Sequence, residues 1–195
     1  MAIIKPSPLL LLIAFSYCLI QGSFYPLWVV GFSMIHEAGH LLAIRHFGGR
    51  AEKLRSMGQG FEIRFDGLSY GQEFFAAAAG PLINLLMFLL FIIFALFGKL
   101  KGLWYCAFSN LLLALINLLP IYPLDGGRML SCLLAPRYEP AIRQKVLQIA
   151  GLCAILPLLA AAFWQFLSSG YNFSLFLICI YLAALTAAQS KGEYP

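Results

Sequence analysis

Apolar residues run along this chain in long blocks, broken at short intervals by glycine, charge or a polar cluster. A helix needs about 20 apolar residues, with roughly 17–25 the usual range, to cross a bilayer. Cutting the sequence at its breaks gives six candidate spans, near residues 7–22, 24–47, 74–97, 103–121, 147–168 and 172–189. The first follows Lys5 and contains the run Leu9 to Ile20, which has the look of a secretory leader. No small-residue cleavage site follows it, so it reads as a retained span. Residues 126–148 mix apolar positions with Arg137, Glu139, Arg143 and Lys145 and read as an interfacial helix or loop. The loop after the second span has a different period. Phe61-Glu62-Ile63-Arg64-Phe65 alternates, Asp66-Gly67 supplies a turn, and Leu68-Ser69-Tyr70 follows. An Asp-Gly pair flanked in this way predicts a short β-hairpin. The expected fold is an all-α integral membrane protein of about six transmembrane helices with that hairpin after the second. With no internal repeat and no long polar segment, residues 1–195 read as one membrane-embedded domain with no soluble domain.

Composition agrees with the pattern. Hydrophobic residues make up 62% and charged residues 11%, with mean hydropathy +0.85. A soluble domain carries about 25% charged residues. The net charge of +5 does not mark a nucleic-acid surface, because the basic residues sit in short loops. Sorted by side of the membrane, Lys5, Arg45, Arg50, Lys53, Arg55, Arg64, Arg128, Arg137, Arg143, Lys145 and Lys191 stand against Lys99 and Lys101, eleven to two. Positive residues stay inside, so both termini are expected in the cytoplasm of a multi-pass cell-membrane protein. The cysteines, Cys18, Cys106, Cys132, Cys153 and Cys179, form no CxxC pair and read as small packing residues.

Chemistry concentrates in span two, at His36-Glu37-Ala38-Gly39-His40. Residues four apart share a helix face, so both imidazoles can reach one metal. Glu37 lies where a carboxylate can take a proton from water that the metal activates. Ionisable groups inside a membrane are costly and mark function. His46 faces another side near the cytoplasmic end and reads as interfacial. A catalytic zinc takes three protein ligands, and the aspartates are Asp66 and Asp125. Asp66 belongs to the expected turn. Asp125 ends a span in Asn117-Leu118-Leu119-Pro120-Ile121-Tyr122-Pro123-Leu124-Asp125-Gly126-Gly127, where prolines break the helix. Irregular backbone at membrane depth is tolerated only inside protein or beside a water-filled cavity. His40 lies roughly 12 Å from the cytoplasmic end of its span at 1.5 Å per residue. Asp125, just before Arg128, falls in the same half of the bilayer, which favours it as third ligand.

HEAGH followed by NLLPIYPLDGG resembles the site-2 protease family of intramembrane metalloproteases. Ala79-Gly80-Pro81-Leu82-Ile83-Asn84 between them is similar to that family's third core helix. The resemblance covers about residues 24–128. It implies a zinc metalloendopeptidase with Zn2+ held by His36, His40 and Asp125 and Glu37 as catalytic base. It also implies that Asn117 and Pro123 help hold substrate. The wording LPIYPLDGGR looks most like the sporulation branch, which processes a membrane-associated pro-sigma factor. That branch commonly carries a CBS domain, and residues 1–195 contain neither that nor a PDZ-like insertion. Expected partners are the lipid bilayer, a membrane-tethered substrate such as a pro-sigma or anti-sigma factor, and a membrane inhibitor or regulator protein. The expected hairpin would offer its strand edge to an extended substrate. Two other readings compete: a zinc transporter, which would need polar relays on several spans, and an inactive scaffold that retains membrane clients.

Overall fold

The computed structural model describes residues 25–51, 55–57, 60–62, 65–98, 101–122, 124–169 and 174–190. The expected first span and Pro123 lie outside them. Among the described residues six helices form: α1 Tyr25–His46, α2 Tyr70–Phe97, α3 Lys101–Asn117, α4 Asp125–Leu134, α5 Pro140–Ser169 and α6 Ser174–Ser190. Three of these, α1, α2 and α5, are long and apolar enough to cross a membrane, while α3 and α6 are shorter apolar helices. Large apolar side chains remain uncovered along α2, among them Leu82, Leu86, Leu89, Ile93 and Phe97. A helix apolar on its outer as well as its inner face suits lipid as solvent. None of the four described cysteines forms a disulfide.

The chain divides into two compact units, Met1–Ile116 and Asn117–Pro195. In the first, α1 packs on α2. α1 stops where expected, and the stop is local chemistry. The N–H of Gly49 donates to the carbonyl of Ile44 at 3.0 Å and that of Gly48 to Arg45 at 3.1 Å. Gly48 supplies the left-handed residue, φ +75°, that such a helix ending demands. Arg45 and His46 in the last turn suit the helix dipole.

The loop that follows departs from expectation. Four short strands occur, β1 Arg50–Ala51, β2 Arg55–Met57, β3 Gly60–Glu62 and β4 Phe65–Asp66. β2 pairs antiparallel with β3 and β1 with β4. The Asp66-Gly67 pair does not turn the chain into a return strand, because β4 pairs with β1 and α2 opens at Tyr70; among the described residues the hairpin expected over residues 61–70 is not seen. Gly67, at φ +93°, leads the backbone into α2 instead. Ser69 caps that helix: its hydroxyl accepts from the Gln72 N–H at 3.4 Å, and Gln72 Oε1 accepts from the Ser69 N–H at 2.9 Å. This reciprocal pair satisfies two helix-end donors, and it outweighs the alternation upstream.

In the second unit a core forms from Ile121, Ile155 and Leu182, with Leu119, Leu124, Leu158 and Ile178 against it. The fourth span was expected to run to residue 121, but α3 ends at Asn117. Pro120 disfavours helical backbone in the residue before it, and Leu118–Leu124 turns back through Ile121 N–H to Leu119 O at 2.7 Å and Leu124 N–H to Ile121 O at 2.8 Å. Gly126 and Gly127 lie against that turn. A Cβ on Gly126 would come within 2.6 Å of the Leu119 carbonyl oxygen, and one on Gly127 within 2.7 Å of that of Ile121. The expected interfacial stretch 126–148 resolves into α4 and the opening of α5. α5 starts at Pro140 rather than 147, because proline suits a first helical position.

Candidate metal centre

His36 and His40 are 4% and 7% exposed, although they belong to a helix with an uncovered apolar surface. Each ring is held from its Nδ1 side. His40 Nδ1 lies 2.7 Å from the Ala76 carbonyl oxygen, to which it donates. His36 Nδ1 lies 3.1 Å from the Asn84 amide. Both partners stand on α2, one on each side of Pro81. The proline removes the N–H that would bond the Ala77 carbonyl and presses on that turn. The carbonyl that His40 uses lies in this disturbed segment.

Held in this way, the two Nε2 atoms converge to 3.1 Å, with the rings edge to face at 81°. Two nitrogens bound to one tetrahedral ion at about 2.0–2.1 Å stand about 3.3 Å apart. The pair therefore fits a single zinc ion, and the His40 geometry leaves its Nε2 lone pair directed inward. Imidazoles oriented by a second hydrogen bond are the usual form of such ligands.

Close helix approach makes this possible. A Cβ on Gly80 would come within 2.6 Å of His40 Cε1 and 2.7 Å of His36 Nε2, and would overlap His40 Nε2. Opposite it, a Cβ on Gly39 would meet Ile83 Cδ1 at 2.6 Å and the Ala79 carbonyl oxygen at 3.1 Å. The run Ala76–Gly80 thus lets the histidine face of α1 sit on α2 backbone, as small residues do between membrane helices. Sequence reading took Gly80 and Asn84 only as part of a familiar string. Their signal was helical spacing: residues four apart on α2 facing histidines four apart on α1.

The other expected site residues fall as follows. Glu37 is exposed beside the buried pair. His46 is exposed and stacks edge-on against Phe47. Asp125, in the second unit, opens α4 and is 6% exposed. In the first turn its carboxylate meets the positive end of the helix dipole. Asn117 is the last residue of α3 and half-buried.

Residues 97–160 match the model of peptidase family M50. That match takes in Asp125 but not the histidine pair. A zinc metalloprotease of Methanocaldococcus jannaschii is 29% identical over 110 residues, 54% of this chain and 32% of the relative. Rip3 of Mycobacterium tuberculosis, named as a zinc metalloprotease, is 35% identical over 89 residues, 45% of this chain and 23% of the relative. The chain therefore spans about a third or less of the curated relatives it matches. Among solved structures, the site-2 protease from Methanocaldococcus jannaschii superposes with TM-score 0.68 at 23% identity, covering 93% of this chain and 86% of that one. This shows the fold. Family match, relatives and fold agree with the resemblance carried by HEAGH and LDGG.

Proposed function

We propose, starting from that resemblance to the site-2 proteases, that this chain is an intramembrane zinc endopeptidase that cuts membrane-tethered or transmembrane proteins. The observation that carries the reading is the convergence of two buried imidazole Nε2 atoms to 3.1 Å, with Glu37 adjacent. Asp125 supplies the third ligand. Like the two imidazoles, its side chain is buried and of a type that binds zinc. Held by these side chains, zinc would supply Lewis acidity toward the scissile carbonyl and toward water. Glu37 takes the proton of the attacking water and passes it to the leaving amide nitrogen. Burial of the imidazoles among apolar side chains limits bulk water at the ligands, while the exposed Glu37 keeps a route for protons. Asn117 and Pro123 steady the substrate's extended segment beside the site, and pro-sigma or anti-sigma factors are suitable substrates.

The catalytic core spans about residues 24–128 of one functional domain with six membrane spans and both termini in the cytoplasm. In a chain with its native cysteines replaced, externally added membrane-impermeant thiol reagent should label Lys99→Cys and spare Lys53→Cys. The reverse pattern would overturn the orientation read from the basic residues. Purified protein should hold about one zinc per chain. His36→Ala, His40→Ala and Asp125→Asn should each lower zinc content and abolish cleavage of a membrane-tethered reporter. Full zinc in Asp125→Asn removes that residue from the ligand set. Wild-type cleavage by His36→Ala removes the metal mechanism.

A further inference from the structure

Asn84 is completely buried, in a helix whose neighbouring positions are apolar. A buried amide is expected to satisfy its hydrogen-bonding groups. Here Nδ2 faces His36 Nδ1 at 3.1 Å, and Oδ1 is buried with no hydrogen-bond partner. With the amide nitrogen donating, His36 Nδ1 must be unprotonated. The ring's one proton then sits on Nε2, directed at His40 Nε2 3.1 Å away. That arrangement blocks the atom that would bind metal, and it leaves the amide oxygen unsatisfied.

A half-turn of the amide about its last bond reverses both results. Oδ1 then faces the ring and accepts from Nδ1–H, which requires the proton on Nδ1 and frees the Nε2 lone pair. The ring keeps one proton and stays neutral, so no charge is created in the apolar surroundings. His40 is already held in the matching form by donating from Nδ1 to the Ala76 carbonyl.

We infer that Asn84 is a positioning residue for His36, whose side-chain oxygen accepts Nδ1–H and so holds the imidazole in the tautomer that binds metal through Nε2. In that orientation the otherwise unpaired buried oxygen has its partner. Asn rather than Asp suits this duty because both amide orientations are neutral, and the side chain serves either tautomer. The inference rests on the zinc reading of the histidine pair.

The test uses the full chain in detergent, with zinc affinity measured by competition against a chromophoric chelator and the site's shape by the visible spectrum of bound Co2+. Asn84→Leu keeps roughly the volume and loses the acceptor. It should weaken zinc binding by about 10- to 100-fold, the range found when such orienting partners are removed, and alter the cobalt spectrum. Asn84→Asp keeps an acceptor oxygen and should restore affinity to within several-fold. In 15N-histidine NMR of the zinc-loaded wild type, His36 should carry its proton on Nδ1. Equal zinc affinity in Asn84→Leu and wild type, or equal losses in the Leu and Asp variants, would overturn the inference. If Asn84→Leu does not fold, the NMR result decides, and a proton absent from His36 Nδ1 overturns it. Failure of the wild type itself to bind zinc would overturn the metal reading rather than the role of Asn84.

Discussion

Glu37→Gln should keep its zinc and its fold yet lose peptide-bond cleavage by at least ~10²-fold, the lower range for general acid–base catalysis. The amide preserves size and hydrogen-bonding shape but cannot take the proton from the attacking water. Glu37 is exposed, and neither His36 nor His40 has it as an orienting partner among the contacts described above. The two imidazoles keep their supports on α2 when it changes. The variant therefore separates three functions that share one site. A transporter needs the ligands and a polar path, and a client-binding scaffold needs its groove; both should survive the change. Only an enzyme that uses the carboxylate as a base should fail. The measurement is product sizing after co-expression with a membrane-tethered pro-sigma or anti-sigma factor cut by the wild type, with zinc content determined on the same preparations. Equal cleavage by wild type and Glu37→Gln would exclude Glu37 as the base.

Gly80→Ala should have a comparable effect by a different route, and here zinc itself is lost. The added methyl would occupy the space where both Nε2 atoms converge. Overpacking a tight core costs about 1–3 kcal/mol, and at this position the strain falls on the ligand atoms. Relief by separating the helices is restricted, because Gly39 already brings α1 against the Ala79 carbonyl and Ile83. We expect zinc affinity to fall by at least ~10²-fold, about 2.8 kcal/mol at 1.4 kcal/mol per decade. Gly31→Ala on α1, the helix that carries the histidines, is the control. A Cβ there meets nothing within 4 Å, so zinc binding should be unchanged. Zinc affinity at the wild-type level in Gly80→Ala would refute the close approach of α2 to the histidines.

These two residues show how differently parts of the site were legible. Glu37 and its flanking histidines are readable from spacing alone, since four residues return a helix to the same face whatever it packs against. The apolar blocks likewise located the helices, because a span's length is imposed by bilayer thickness rather than by neighbours. Helix ends were less legible. α3 stops at Asn117 and α5 begins at Pro140, where proline's backbone limits prevail over hydropathy. The Asp66-Gly67 turn was misread for a similar reason: the Ser69–Gln72 cap is a local competitor that alternation does not reveal.

What the sequence by itself determined was the set of chemical groups: two imidazoles on one helix face with a carboxylate beside them, in a chain too apolar for water. Tertiary structure decided how the imidazoles are presented. Ala76 and Asn84 stand dozens of residues away in sequence, yet they hold the two Nδ1 atoms, and Gly80 makes the room in which the Nε2 atoms meet. No periodicity in α1 encodes those partners. They arise because small residues let two helix backbones approach, and an imidazole held on one nitrogen can offer only the other.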